Sequence, residues 1–240
     1  MIEFLDVVMS RGGRTVLKGV SLSAAPGEVI ALVGQSGSGK TTLLRLVNRM
    51  LRPDSGEVRV GGRSVAEWDE TSLRRQTGYA IQDVGLFPHF TVAENVALVP
   101  RLLEWAPSRT EARVNELLQL VGLAPADFRH RWPDELSGGQ RQRVGLARAL
   151  AADPPTLLMD EPFGALDPIT RSELHREFRR LHKQLPRTVL LVTHDLAEAF
   201  ALADRIGVLL DGRLLVCDTP EALQASQDPY VRTLVETRFG

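Results

Sequence analysis

Eight residues, Gly34-Gln35-Ser36-Gly37-Ser38-Gly39-Lys40-Thr41, constrain this chain more than any others. They fit the spacing G-x-x-x-x-G-K-[ST] and lie between a strand pattern and a helix pattern. Residues 29–33 before them are wholly apolar, as in a strand covered on both faces. After them Leu43, Leu46, Val47 and Met50 recur at i, i+3, i+4 and i+7, one face of a helix. Glycines in such a loop let the backbone curl until its N–H groups point inward at phosphate oxygens. The helix N-terminus adds its positive dipole end. Lys40 brings a compact charge to β- and γ-phosphates, and Thr41 offers a hydroxyl to Mg²⁺. The alternative is a plain Gly/Ser-rich turn. Only three lysines, Lys18, Lys40 and Lys183, stand among 29 basic residues, a bias that GC-rich coding would produce. Lys40 sits where a planar guanidinium is a poor substitute for a point charge.

Further apolar runs at residues 156–159, 189–192 and 206–210 read as buried strands. Residues 2–8, 16–23 and 57–60 read as shorter strands between Gly- or Pro-rich turns. Helix patterns fall between them. Ser108 and Glu111 have capping-box spacing ahead of Val114, Leu117, Leu118 and Val121, with Gly122 as a stop. Leu174, Phe178, Leu181 and Leu185 form another stripe, with Pro168 suited to its first turn. This alternation predicts an α/β fold with a mainly parallel sheet. From about residue 83 to 151 there are helix signals without a strong strand, which reads as a helical insertion.

Composition narrows the function classes. The 240 residues carry a net charge of -1, which argues against a protein held on nucleic acid by bulk charge. The longest wholly apolar run, residues 29–34, is far short of the roughly 18 residues a membrane helix needs. The N-terminus carries Glu3 and Asp6 and does not read as a secretory signal. Cys217 is the single cysteine, so internal disulfides and cysteine-cluster metal sites are excluded, and a reducing cytoplasm fits.

Two more stretches carry chemistry. The strand at 156–159 ends in Asp160 and Glu161, at the place where open α/β sheets bind ligands. Asp160 can hold Mg²⁺ through water, and Glu161 can orient and polarise an attacking water. The alternative is an acidic strand end capping a turn closed by Pro162. Leu136-Ser137-Gly138-Gly139-Gln140 opens a helix running to about Ala151, with Ser137 as its N-cap. That makes a second anion site, unless it is an ordinary Gly-containing loop. One nucleotide does not need two such sites, so the economical reading gives this one to another copy of the chain.

Taken together, GQSGSGKT (34–41), LSGGQ (136–140), LLMDEP (157–162) and GALD (164–167), with Gln82 in YAIQDVG and His194 in LVTHD, resemble the ATP-binding subunits of ABC transporters over essentially the full length. The resemblance implies a P-loop NTPase with a RecA-like, mainly parallel sheet, an N-terminal antiparallel β subdomain and a helical subdomain. It implies one ATPase domain over 1–240, with a core at about 1–84 and 152–240 and the helical part at about 85–151. It implies a head-to-tail homodimer that binds ATP and Mg²⁺. Each nucleotide would lie between residues 34–42 of one chain, Thr42 included, and Ser137, Gly138, Gly139 and Gln140 of the other. Lys40 and His194 would serve catalysis at the γ-phosphate, with Glu161 as general base. Thr41, Gln82 and Asp160 would serve the metal, and Asp167 would communicate across the dimer. The family usually places an aromatic residue where adenine stacks; here Met9-Ser10-Arg11-Gly12-Gly13-Arg14 has none, and Arg11 could stack its guanidinium instead.

Within the family the chain is most similar to the ATPases of importers for glycine betaine, choline and related quaternary amines. The stretches are LVNRMLRPDSGEV (46–58), GYAIQDVGLFPHFTVAENVALVPRLLEW (78–105) and MDEPFGALDPITR (159–171), with Asp83 where a glutamine is expected. This resemblance implies an integral membrane permease, gripped near residues 85–92, and an extracytoplasmic substrate-binding protein. It places the chain peripherally on the cytoplasmic face of the cell (inner) membrane, without nucleic acid as a partner. Many members continue into a paired regulatory domain, whereas this sequence stops at Gly240, so no C-terminal regulatory domain is expected. A polar amino-acid importer is the alternative cargo class, and a soluble non-transport ABC ATPase the alternative role.

Overall fold

The structure, a computed structural model, describes residues 1–82 and 84–236. Asp83 therefore lies outside the described residues. The chain divides into two compact units, Met1–Arg74 with Pro186–Gly240, and Arg75–Leu185.

The first unit opens with β1 (Ile2–Arg11), β2 (Arg14–Ala24), β3 (Val29–Gly34), α1 (Lys40–Val47), β4 (Ser55–Val60) and β5 (Arg63–Ser64), followed by α2 (Glu70–Arg75). β1 and β2 meet at Gly12-Gly13, whose φ values of 58° and 77° supply the twist of a two-residue hairpin. The hairpin continues into an antiparallel sheet of order β2-β1-β4-β5. α1 buries Leu43, Leu46 and Val47 as the periodicity predicts. Met50 departs from that face and is 57% exposed. The helix ends at Val47, and Arg49 at φ 55° turns the chain away before the next repeat.

The second unit contains β6 (Thr77–Ala80), α3 (Val92–Leu102), α4 (Pro107–Leu120), α5 (Pro125–Phe128), a 3₁₀ turn at Pro133–Glu135, α6 (Gly138–Leu150), β7 (Thr156–Asp160) and α7 (Pro168–Gln184). Its core is helical, with Val92, Val96, Val114, Leu117, Leu118 and Val144 buried. β6 and β7 run parallel, Ala80 opposite Met159. β6 is too short and mixed to show as an apolar run. Its Gly78 lies against α6, where an added Cβ would come within 2.3 Å of the Ala149 carbonyl oxygen. The capping box expected at Ser108 and Glu111 does not form. α4 begins two residues earlier, with Pro107 at its first turn and Ala106 as an N-cap that makes no side-chain hydrogen bond. Proline's fixed φ starts the helix before Ser108 can cap it.

The chain returns to the first unit with β8 (Thr188–Val192), α8 (Leu196–Leu202), β9 (Arg205–Leu210), β10 (Arg213–Asp218), α9 (Pro220–Gln224) and α10 (Pro229–Glu236). β3 pairs in parallel with β8 on one side and β9 on the other, and β10 adds antiparallel to β9. After His194 only the run at residues 206–210 is read from the sequence as a strand, and the structure has two. Asp211 and Gly212, at φ 47° and 79°, form the tight turn between them. An N-terminal antiparallel sheet, parallel strands and a helical region are thus all present.

Candidate active site

In the first unit, the loop after β3 is built to receive an anion. Gln35, Ser36 and Gly37 are exposed, while Ser38, Gly39 and Lys40 are buried at its neck. Gly39, at φ 105°, is the N-cap of α1 and offers no side chain to its first-turn N–H groups. No acidic residue stands in that turn to compete for its positive end. Lys40 Nζ donates to the carbonyl oxygens of Gly34 and Gln35 at 2.7 and 2.8 Å, bending the loop around its charge. Among the described residues the buried Ser38 hydroxyl has no hydrogen-bond partner. A buried polar atom without a partner is costly, and a ligand oxygen would satisfy it. Thr41 and Thr42 follow on the first turn of α1, both half-buried.

Arg11 lies exposed at the β1–β2 hairpin end, opposite Arg14 in the strand register. A few residues on, β2 passes the loop closely. A Cβ on Gly39 would lie 2.6 Å from Leu17 Cδ2 and 3.3 Å from the Val16 carbonyl oxygen. His194 is exposed on the turn after β8. β8 and β3 are parallel neighbours, Leu32 opposite Val192, so His194 and the Gly34 loop emerge at the same sheet end. The turn is tied down by Thr193, whose N–H donates to Leu32 O at 3.2 Å. Its hydroxyl donates to Glu198 Oε2 at 2.7 Å and accepts from Asp195 N–H at 2.9 Å.

In the second unit, β7 ends in Asp160, which is buried, and Glu161, which is half-buried at φ 48°. The parallel register of β6 and β7 brings Gln82 beside them. Gln82 Nε2 donates to Glu161 Oε2 at 3.4 Å, across 79 residues of sequence. Ser137 caps α6 as its residue type predicts. Its hydroxyl accepts from Gln140 N–H at 3.2 Å, and Gln140 Oε1 accepts from Ser137 N–H at 2.9 Å. A Cβ on Gly138 would meet nothing within 4 Å, whereas one on Gly139 would lie 3.2 Å from Leu166 Cδ2. Leu166 precedes Asp167, the N-cap of α7, so the Ser137–Gln140 turn and Asp167 come together. The Thr170 hydroxyl and N–H, bonding to the Asp167 carboxylate, hold its pKa below the usual carboxylate value.

Two residues of this unit were not singled out from the sequence. Gln142, on α6, bonds to the backbone on both sides of the turn after Glu161. Arg148 donates to the carbonyl oxygens of Val84 and Gly85 at 2.5 and 2.7 Å. A signal for Gln142 was present. With Gly145, Leu146 and Ala149 it completes an i, i+3, i+4, i+7 stripe that is otherwise apolar, and all four are buried.

Comparison with known proteins adds four findings. A family model described as ABC transporter matches residues 17–164. The chain is 48% identical over 213 residues to the glycine betaine/carnitine/choline transport ATP-binding protein OpuCA of Bacillus subtilis (strain 168), covering 89% of this chain and 56% of that protein. It is 50% identical over 211 residues to the glycine betaine uptake system ATP-binding protein YehX of Escherichia coli (strain K12), covering 88% of this chain and 68% of that protein. The chain thus spans little more than half the length of OpuCA. Among solved structures it is similar to the ATP-binding cassette MJ0796, a dimer in a post-hydrolysis state bound to ADP and Pi. The TM-score is 0.83 at 32% identity, over 91% of this chain and 98% of that one.

Proposed function

The chain belongs to the ABC transporter family, and on that premise we propose that it is the ATP-hydrolysing subunit of an importer for glycine betaine, choline or a related quaternary amine. The observation that carries the ATPase reading is the loop at residues 34–41. Its lysine is folded in, its first-turn N–H groups have no side-chain cap, and its serine hydroxyl is buried without a partner among the described residues. The cargo reading rests on the similarity to transport ATP-binding proteins for glycine betaine, carnitine and choline.

Each residue then has a task. The loop N–H groups, with Gln35, Ser36, Gly37 and the Ser38 hydroxyl, wrap the phosphates, and Lys40 neutralises the β- and γ-phosphate charge. Arg11 stacks on the purine from the hairpin end. Thr41, Gln82 and Asp160 offer a hydroxyl, an amide oxygen and a carboxylate, the hard oxygen donors that suit Mg²⁺. When bound, Mg²⁺ supplies charge neutralisation at the phosphate oxygens. Glu161 takes a proton from the attacking water, and Gln82, its hydrogen-bond neighbour, steers the carboxylate. His194 contacts the γ-phosphate. Ser137, Gly138, Gly139 and Gln140, with Asp167 beside them, receive the nucleotide of a second copy.

In this reading the chain works as a homodimer, bound to a permease and supplied by an extracytoplasmic binding protein. It lies peripherally on the cytoplasmic face of the membrane. Among the described residues no helix is long and apolar enough to cross a membrane.

The test has two arms. Glu161→Gln is expected to lower ATP turnover by on the order of a hundredfold or more while ATP still binds. Turnover near wild type would remove Glu161 from the base role. Vesicles carrying the chain with its permease and binding protein should take up radiolabelled glycine betaine or choline only with ATP. Uptake of an amino acid in their place would overturn the cargo.

A further inference from the structure

The turns after β6 and β7 carry Gln82 and Glu161, and both are gripped from one helix, α6. Gln142, only 6% exposed, donates through Nε2 to the Glu161 carbonyl oxygen at 2.8 Å. Its Oε1 accepts from the Ala165 N–H at 2.9 Å. One amide therefore closes the five-residue turn 161–165 from end to end. It fits in one orientation, because a flipped amide would set donor against donor and acceptor against acceptor. Farther along α6, Arg148 holds the Val84 and Gly85 carbonyls. A Cβ on Gly145 would lie 2.7 Å from Val84 Cγ1.

Glu161 itself is left-handed, at φ 48°. A side chain with a Cβ holds that conformation only where its surroundings enforce it. Gln142 is the one side chain among the described residues shown to bond both the Glu161 carbonyl and the far end of the turn.

We propose that Gln142 is a positioning residue for hydrolysis. Its amide locks the 161–165 turn and so aims the Glu161 carboxylate. This rests on the reading of Glu161 as general base. It also gives α6 a second duty. Ser137 and Gln142 lie on adjacent turns of one helix, so whatever seats at the α6 N-terminus acts on the element that aims Glu161.

Steady-state and single-turnover ATP hydrolysis by the full chain test this. The variants are Gln142→Met, which keeps length but neither hydrogen bond, and Gln142→Asn, which keeps the amide but cannot reach. Both are compared with Glu161→Gln. Each Gln142 variant should lose on the order of ten- to a hundredfold in kcat, with KM for ATP within about twofold. In the Glu161→Gln background, where the group to be aimed is gone, Gln142→Met should cost less than about twofold more. A full, multiplicative loss in that background would overturn the proposal. So would loss of folding or of ATP binding in both Gln142 variants, because the role would then be structural. Wild-type kcat in the Gln142 variants beside an inactive Glu161→Gln sinks the positioning role alone. Wild-type kcat in Glu161→Gln sinks the base reading itself.

Discussion

Gly34 and Gly37 lie three residues apart in one loop, yet they are required for different reasons. At Gly34, φ is 144° and an added Cβ would sit 2.1 Å from the Leu209 carbonyl oxygen, an overlap with neighbouring backbone. At Gly37, φ is 80° but the space is open. Gly37→Ala therefore meets conformational strain alone, about 1–2 kcal/mol. Gly34→Ala adds displacement of β9 from β3 and should cost at least about 2–4 kcal/mol. Urea unfolding of the two variants checks the order, and an equal loss in both would refute the steric argument. Cys217 shows another residue-scale effect. Burial pushes its thiol up to about 11, so the neutral thiol persists at ordinary pH. Little thiolate forms to act as a nucleophile there.

At the scale of elements, three helices of the second unit begin in two ways. α3 has a complete capping box between Thr91 and Glu94, and α6 has one between Ser137 and Gln140. α4 starts from Ala106 with no side-chain acceptor for its first-turn N–H groups. Ala106→Asp supplies an acceptor and a favourable charge at the dipole, and should stabilise the chain by about 0.5–1 kcal/mol. A higher urea midpoint at unchanged slope is the expected result, and a lower midpoint would show that position 106 is not a usable cap. For α3, the Thr91 N–H, then its hydroxyl, hold the Glu94 pKa below the ordinary value. A lowered carboxylate pKa contributes stability above the unfolded value, and that contribution is lost as pH falls through the folded value. The contribution of this cap should accordingly fade in acid.

For the whole molecule, the second anion-binding helix start is the consequential feature. The N–H groups of the Ser137-capped turn do not repeat the work of the loop at Lys40. In the proposed arrangement each copy keeps half of each site for its partner and would have to pair when nucleotide is present. The Glu161→Gln variant, expected to bind ATP without consuming it, should shift from monomer to dimer as ATP is added. Light scattering reads this directly, and monomers at every ATP concentration would count against the dimer.

The conformation of the glycine-rich loop at residues 34–41 was legible residue by residue because all its parts are consecutive. Strand, loop, lysine and helix follow one another, and their signals are local periodicity and glycine spacing. The Ser137 cap and the Asp160-Glu161 strand end were legible for the same reason. The Ser108 cap was misread because a proline and a serine compete for the same helix start, and the order of two adjacent residues decided it. The second strand of the β9–β10 hairpin was signalled by Asp211-Gly212 and by the apolar run at residues 214–217 that follows it.

By itself, then, the sequence determined the α/β class, the glycine-rich loop between β3 and α1 and which residue types stand at each strand end. Only the tertiary structure decided what those residues face. The β6–β7 register sets Gln82 against Glu161 across a sequence separation of 79, and the packing of α6 puts an amide across the turn that aims Glu161. Local backbone preferences are written in neighbouring residues. Long-range hydrogen bonds depend on where the whole chain brings two distant polar groups, and one strand slipping by one residue would break them.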